Sequence, residues 1–351
     1  MNKANELIRL LSFGDIDLSR RERIIHLAGE RFDWDYLVAA ASREGVACVI
    51  YDRLNKSGLR DIVPASVLAG LGSVYYTHSA QNTLLLEEFK SVIPVLNDAR
   101  VPVILLKGLF LADSVYGNIA LRPVRDLDIL VRRRDVLKTV SALGSIGYAP
   151  IANVEERLED RFAYSVTLAK QGVGIDAGAS IDLHWHILNA SWLIGLRSEK
   201  CDVERFWDGA EFATVSGIKA RVLSPEHLLI SLAVNAFTHC YQRLILIVDI
   251  ERVLARYGGA ISVDSVSREA DRCGLGNVID HTLNNILPAA RSGKYRGRPG
   301  TFIFKREYRP FRPCLMYILT CRGIIAKFRA FLEIGKVITY VFFSRLKAKN
   351  T

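Results

Sequence analysis

Through residues 1–98 apolar side chains recur at helical spacing, first as Leu7, Ile8, Leu10 and Leu11, later as Leu84, Leu85, Leu86, Phe89, Val92, Ile93 and Leu96. Gly58 and Pro64 break the run between them, and the pattern predicts a helical packing region without chemistry of its own. The period changes at residue 101. Val101–Leu106 is short, apolar and β-branched, as a buried strand would be, and Lys107-Gly108 ends it. Leu109–Gly117 reads as a short helix. Arg125–Val131 reads as a second strand, with Asp126, Asp128 and Leu130 on one face and Leu127, Ile129 and Val131 on the other. A helix is expected over 132–144, and further strands over 163–169 and 180–187, around a loop of hairpin composition at 172–178. In the later strand Asp182, His184 and His186 share a face, opposite Ile181, Leu183, Trp185 and Ile187. Ser224 as N-cap and Pro225 at the first helical position open a second helical region, with helices over 228–239, 244–257 and 263–286. The organisation is therefore a helical region at 1–98, a strand-bearing core at 99–222, a helical region at 223–290 and a tail at 291–351.

Composition adds two things to this picture. Half the residues are hydrophobic and 24% are charged, so a sizeable core is expected rather than disorder. The net charge of +10 is also uneven: residues 291–351 hold 15 Lys plus Arg against 2 Asp plus Glu, and the remainder is slightly acidic. Such a tail suits nucleic acid, an anionic membrane surface or an acidic partner. The best candidate for a membrane span, Phe331–Phe343, has 13 residues including Glu333 and Lys336, well short of the roughly 20 apolar residues a span needs. The six cysteines form no C-x-x-C pair, and the N-terminal segment lacks the apolar run of a signal peptide. Buried, reduced thiols in a cytoplasmic protein are expected, with membrane-peripheral placement through the tail as an option.

The candidate chemistry centres on Asp126-Leu127-Asp128. Two carboxylates at i and i+2 of a strand point the same way and repel when ionised, unless a cation lies between them. Mg²⁺ is such a cation, and it combines carboxylates with substrate phosphates. These acids interrupt an otherwise apolar strand, a violation expected at functional sites. Lys107 and Gly108 lie at a strand-to-helix junction where backbone N–H groups can approach phosphate. Arg122 and Arg125 flank Pro123 and would either pair with Asp126 or Asp128, or clamp a triphosphate. Asp182 is a candidate third carboxylate. His184 and His186 extend it to D-x-H-x-H, a pattern also compatible with zinc or iron, or with His184 orienting Asp182. His239 and Asp249, near Arg243 and Arg252, either line the same cleft or make contacts between helices.

Taken together, Lys107-Gly108, Tyr116, Leu121-Arg122-Pro123, Asp126–Val131, Asp182-Leu183-His184-Trp185, His239 and Asp249 resemble the signature of the uncharacterised nucleotidyltransferase family, over roughly residues 5–290. The resemblance implies an α+β fold, with a small mixed-sheet, polymerase-β-like core flanked by helical regions. It also implies transfer of a nucleoside monophosphate from an NTP to an acceptor hydroxyl, assisted by two Mg²⁺ ions. Asp126, Asp128 and Asp182 would be the catalytic metal ligands, and Lys107, Gly108, Arg122 and Arg125 would contact the nucleotide. Lys107-Gly108 stands where the superfamily has Gly-Ser, and Leu109 replaces the serine. The expected partners are a nucleotide and a small-molecule, sugar or peptide acceptor. Two other readings stand beside this one: a catalytically degenerate nucleotide-binding or accessory protein of a biosynthetic pathway, and an RNA-directed transferase that uses the basic tail.

Overall fold

The computed structural model describes residues 3–30, 32–160, 163–170, 180–187 and 201–292. Five helices come first: α1 (Lys3–Ser12), α2 (Leu18–Gly29), α3 (Trp34–Glu44), α4 (Ala47–Lys56) and α5 (Ala65–Asp98). Their starts follow local chemistry. Asp17 accepts from the Arg20 amide and Asp33 from the Tyr36 amide, each satisfying an N–H that has no partner within the helix. Pro64 precedes α5, as the break in the pattern predicts. The face of α5 with Leu85, Phe89, Val92 and Leu96 is buried, while Leu84 stays exposed.

The core sheet has seven strands: β1 (Ile104–Leu105), β2 (Leu127–Leu130), β3 (Tyr148–Pro150), β4 (Ser165–Lys170), β5 (Ser180–His184), β6 (Glu211–Val215) and β7 (Ile218–Val222). Their order across the sheet is β3-β4-β5-β2-β1-β7-β6. The sheet is mixed: β2 runs parallel to β5 and β1 parallel to β7, and the other neighbouring pairs are antiparallel. Together with the flanking helices this is the expected α+β class.

Several elements differ from the pattern reading. The strand expected over 101–106 contracts to two residues. The one expected over 125–131 contracts to β2, because the segment before Leu127 belongs to a loop held by side chains rather than by a ladder. The short helix starts earlier, as α6 (Lys107–Phe110), and continues as one turn of π-helix over Leu111–Val115. A 3-10 turn, Arg133–Asp135, precedes α7 (Val136–Gly144), and α8 (Val154–Glu159) lies between β3 and β4. The hairpin β6–β7 was not anticipated from hydrophobicity, since both strands are largely exposed or half-buried. Its signal is the turn itself: Ser216 and Gly217 both have positive φ, +46° and +87°, as a tight two-residue hairpin requires.

After α9 (Glu204–Asp208), Ser224 caps α10 (Pro225–Thr238) through the His227 amide, with Pro225 in the first turn, as expected. α11 (Leu244–Tyr257) follows. The helix expected over 263–286 is divided into Val263–Arg272, Gly276–His281 and a π-helical turn, Thr282–Ile286, with Gly274 at φ +68° near the break. Cys201 and Cys273, 72 residues apart, are joined by a disulfide. This corrects the expectation of six reduced thiols. Arg205 of α9 grips Glu269 at 2.6 and 2.8 Å and brings the two segments together, a proximity with no trace in cysteine spacing. Cys48 and Cys240 are buried and lie outside that bridge. Cys314, Cys321, the hairpin loop expected at 172–178 and the basic tail from residue 293 lie outside the described residues. Among the described residues no helix is long and apolar enough to cross a membrane.

Candidate active site

The site is built on the parallel pair β2–β5. Their register sets Asp128 opposite Asp182 and Leu130 opposite His184. Neighbouring residues of a sheet in register share a face, so Asp128, Asp182 and His184 come to one side. Asp128 is only 3% exposed and accepts from Lys107 Nζ at 3.2 Å and from His184 Nε2 at 3.1 Å. Asp182 sits nearer the rim. Thr167 of β4 donates its hydroxyl to Asp182 Oδ1 at 2.6 Å, and His184 Nε2 lies 3.8 Å from Asp182 Oδ2. His184 therefore pairs with Asp128 rather than with Asp182, whose orientation comes from Thr167. One ligand atom from each of Asp128, Asp182 and His184 lies within 4.8 Å of the others. His186, expected on the same face, is not in that group; β5 has ended by then, and its ring packs on Tyr164 at 4.9 Å.

Asp126 precedes the strand and is half-buried. Burial, and next the charge of Asp128, push its pKa up to about 6. For Asp128 burial acts in the same direction, yet Lys107 and His184 outweigh it and hold the carboxyl well below the usual range. Burial lowers the Lys107 pKa, but Asp128 and Asp126 reverse this, and the ammonium is held above its ordinary value. The result is one firmly ionised, paired carboxylate with a second one beside it that ionises reluctantly. A divalent cation would relieve that repulsion.

Gly108 lets the junction pack tightly. Its φ is +23°, and a Cβ there would stand 3.2 Å from Val124 Cγ1 and 3.5 Å from both the Asp126 carbonyl and Asp128 Oδ2. Gly108 thus presses the backbone of the Lys107 turn against the carboxylates.

Arg122 goes elsewhere than to Asp126 or Asp128. Its guanidinium reaches the fully buried Asp249 of α11 through Nε at 2.9 and 3.1 Å and Nη2 at 2.9 Å. The Tyr116 hydroxyl donates to the same carboxylate at 2.8 Å. Asp249 outweighs the effect of burial and raises the Arg122 pKa further, while burial and the same carboxylate raise that of Tyr116. Asp249 is therefore an inter-helix contact that ties the Leu121-Arg122-Pro123 loop to the second helical region. Arg125 remains exposed. His239 caps α10 at its C-terminus, and the surrounding protein, then Lys107 and Arg243, push its pKa down.

Two buried or bonded residues at the site were not among those expected. Thr167 is one. The other is Asn82 on α5, fully buried, which donates to the carbonyls of Ile119 and Arg122 (the latter at 2.8 Å) and accepts from the Val124 amide at 3.2 Å. A polar residue on the core-facing side of a long helix was the available signal. Asn82→Ala would strand these buried backbone groups and is expected to cost about 2–3 kcal/mol, read by urea denaturation.

No curated protein matches the chain. Among solved structures, the antibiotic-resistance factor ANT(2'')-Ia is similar over 62% of this chain and 98% of its own, at 10% identity and TM-score 0.36. An antigenic nucleotidyltransferase-like protein from Paracoccidioides brasiliensis is similar over 62% and 92%, at 11% identity and TM-score 0.33. The sequence profile described as uncharacterised nucleotidyltransferase matches residues 30–285, well over half of the chain and including each site residue named above. The chain belongs to the uncharacterised nucleotidyltransferase family.

Proposed function

We propose that the protein transfers a nucleoside monophosphate from an NTP to an acceptor hydroxyl, at the face shared by β2 and β5. The observation that carries this reading is the register of Asp128 beside Asp182, with Asp126 at the strand entrance and His184 behind. Asp128 and Asp182 bring carboxylate oxygens within 4.8 Å of each other, a pairing that suits a divalent cation. Asp126, Asp128 and Asp182 would hold Mg²⁺, and a bound ion would neutralise phosphate charge and orient the donor. The remaining chemistry belongs to the chain. Lys107 and His184 keep Asp128 ionised and aimed. Asp182, partly exposed and oriented by Thr167, would take the proton of an incoming hydroxyl. Gly108, with no side chain, lets the Lys107 turn lie directly against Asp126 and Asp128.

A second reading, a degenerate nucleotide-binding or accessory protein, is favoured by one feature. Lys107 and Arg122, both expected on the triphosphate, are engaged by Asp128 and Asp249. Calorimetric titration with the four NTPs, with and without Mg²⁺, tests the donor site, and release of pyrophosphate from the bound NTP separates transfer from binding alone. Metal-dependent binding that is lost in Asp126→Ala/Asp128→Ala is expected. No NTP binding by the folded wild-type protein would sink the active-transferase reading. An acceptor that is RNA, or a tail that meets a membrane, would appear as salt-sensitive RNA binding or liposome co-sedimentation by the full chain.

A further inference from the structure

The long helix α5 ends in a way that an arginine does not favour. Two residues beyond its last residue, Asp98, Arg100 turns into the left-handed region at φ +50°. The Arg100 amide donates to the Asn97 carbonyl at 2.8 Å, and the Val101 amide donates to the Leu96 carbonyl at 2.9 Å. These bonds close a helix end that ordinarily carries glycine. A side chain in this region crowds the backbone, so a long cation stands where glycine would be less strained. Backbone of this kind clusters at ligand sites.

Arg100 lines a cleft of about 360 Å³ between the end of α5, β1 and the β6–β7 hairpin. The apolar lining includes the buried Leu96, Val101 and Leu105. Phe212, on the edge strand β6, lines it too and is 56% exposed. Phe212 and Arg221 are register partners, and Lys219 stands two residues from Arg221, so the alternation of the hairpin brings all three to one side. Lys219 Nζ and Arg221 Cζ each lie 4.6 Å from the centre of the Phe212 ring. The ring thus seats two cations at the cleft. Among the described residues, none that lines the cleft is acidic, and Arg100, Lys219 and Arg221 have no carboxylate within salt-bridge distance. Asp98 and Glu211, close by in the chain, are not among the lining residues.

We propose that this cleft binds a small organic phosphate monoester, with Arg100, Lys219 and Arg221 on the phosphate and the apolar lining against the carbon part. A phosphate monoester offers three terminal oxygens and nearly two negative charges, which suits three cations better than a single carboxylate would. The volume falls within the roughly 300–1,000 Å³ of small-molecule sites. A nucleic-acid strand would call for cations that track a backbone over several nucleotides, whereas these three meet in one cleft. The cleft lies across β1 from the carboxylates, since β1 pairs with β7 on one side and with β2 on the other. None of its residues belongs to the Asp128–Asp182 face, so ligand binding here and nucleotidyl transfer there can succeed or fail separately.

The test is calorimetry on the full chain in EDTA, which keeps the carboxylate face free of metal, with AMP, glucose 6-phosphate and inorganic phosphate as probes. At least one ester should bind more tightly than inorganic phosphate, because the apolar lining acts on the ester alone. Arg100→Gly removes the cation at a position that suits glycine, so Tm should hold while affinity for the ester falls about 10-fold. Arg221→Gln should weaken it on the same scale. Asp126→Ala/Asp128→Ala should bind the ester as the wild type does. Failure of the folded wild-type protein to bind either ester overturns the assignment, as does unchanged affinity in both arginine variants. Loss of binding in Asp126→Ala/Asp128→Ala would move the ligand to the carboxylate face and overturn it as well. A single-stranded RNA oligonucleotide that binds far more tightly than AMP, and is weakened by the same arginine variants, would replace the small molecule with nucleic acid.

Discussion

Asp128→Asn is expected to reduce nucleotidyl transfer by about 10³-fold or more, the scale on which removal of one group from a preorganised charged site is felt. The amide keeps the volume of the carboxyl and removes its charge. Lys107 and His184, which both point at that oxygen, then face a neutral group in a setting that is 3% exposed. Breaking a buried pair by removing one partner costs about 3–5 kcal/mol, although Lys107, at 20% side-chain exposure, can recover part of this by turning to solvent. Transfer assays and thermal melts on the same preparation separate the two effects. Asp126→Asn is the control with the opposite sign in stability. The folded pKa of Asp126 lies near 6, above its ordinary value of 3.8, so ionisation works against the fold. The penalty is absent below about pH 4, grows as the pH rises toward 6 and is complete above it. In EDTA, Asp126→Asn should therefore be more stable than wild type at pH 7, on the order of 1–2 kcal/mol, and no more stable at pH 4. Loss of transfer in this variant without loss of stability would mark Asp126 as functional rather than structural. Full activity in it would remove Asp126 from the ligand set.

The second large effect belongs to Arg122. Arg122→Met leaves Asp249 at 0% exposure with the Tyr116 hydroxyl as its remaining partner, and is expected to cost about 3–5 kcal/mol. At about 2–4 °C per kcal/mol for a domain of 150–250 residues, Tm should fall by roughly 10 °C. Arg122→Met combined with Asp249→Leu should regain most of the loss, because two apolar groups of similar volume leave no orphaned charge. A single variant melting within 2 °C of wild type, about 0.5–1 kcal/mol on the same scale, would show that the pair contributes little to holding the Leu121–Pro123 loop against α11.

The contrast between these two variants shows what could be read from the chain. Asp128 was legible because a strand enforces period two, and an acid within an apolar alternation stands out against it, whereas Asp126 sits just before β2. Asp182 and His184 were legible on one face for the same reason. The helical regions followed from the 3.6 period and from Pro64, Ser224 and Pro225, whose effects are local. Pairing was not legible. Arg122 lies four residues before Asp126 and six before Asp128 but bonds Asp249, 127 residues away, because the α11 packing brings a buried carboxylate to it. Asn82, Thr167 and the Cys201–Cys273 bridge likewise have partners only in three dimensions. Periodicity and capping act over a few residues and survive in the sequence. Charge pairing is decided by distance, and distance between remote segments exists only once the helices have packed on the sheet.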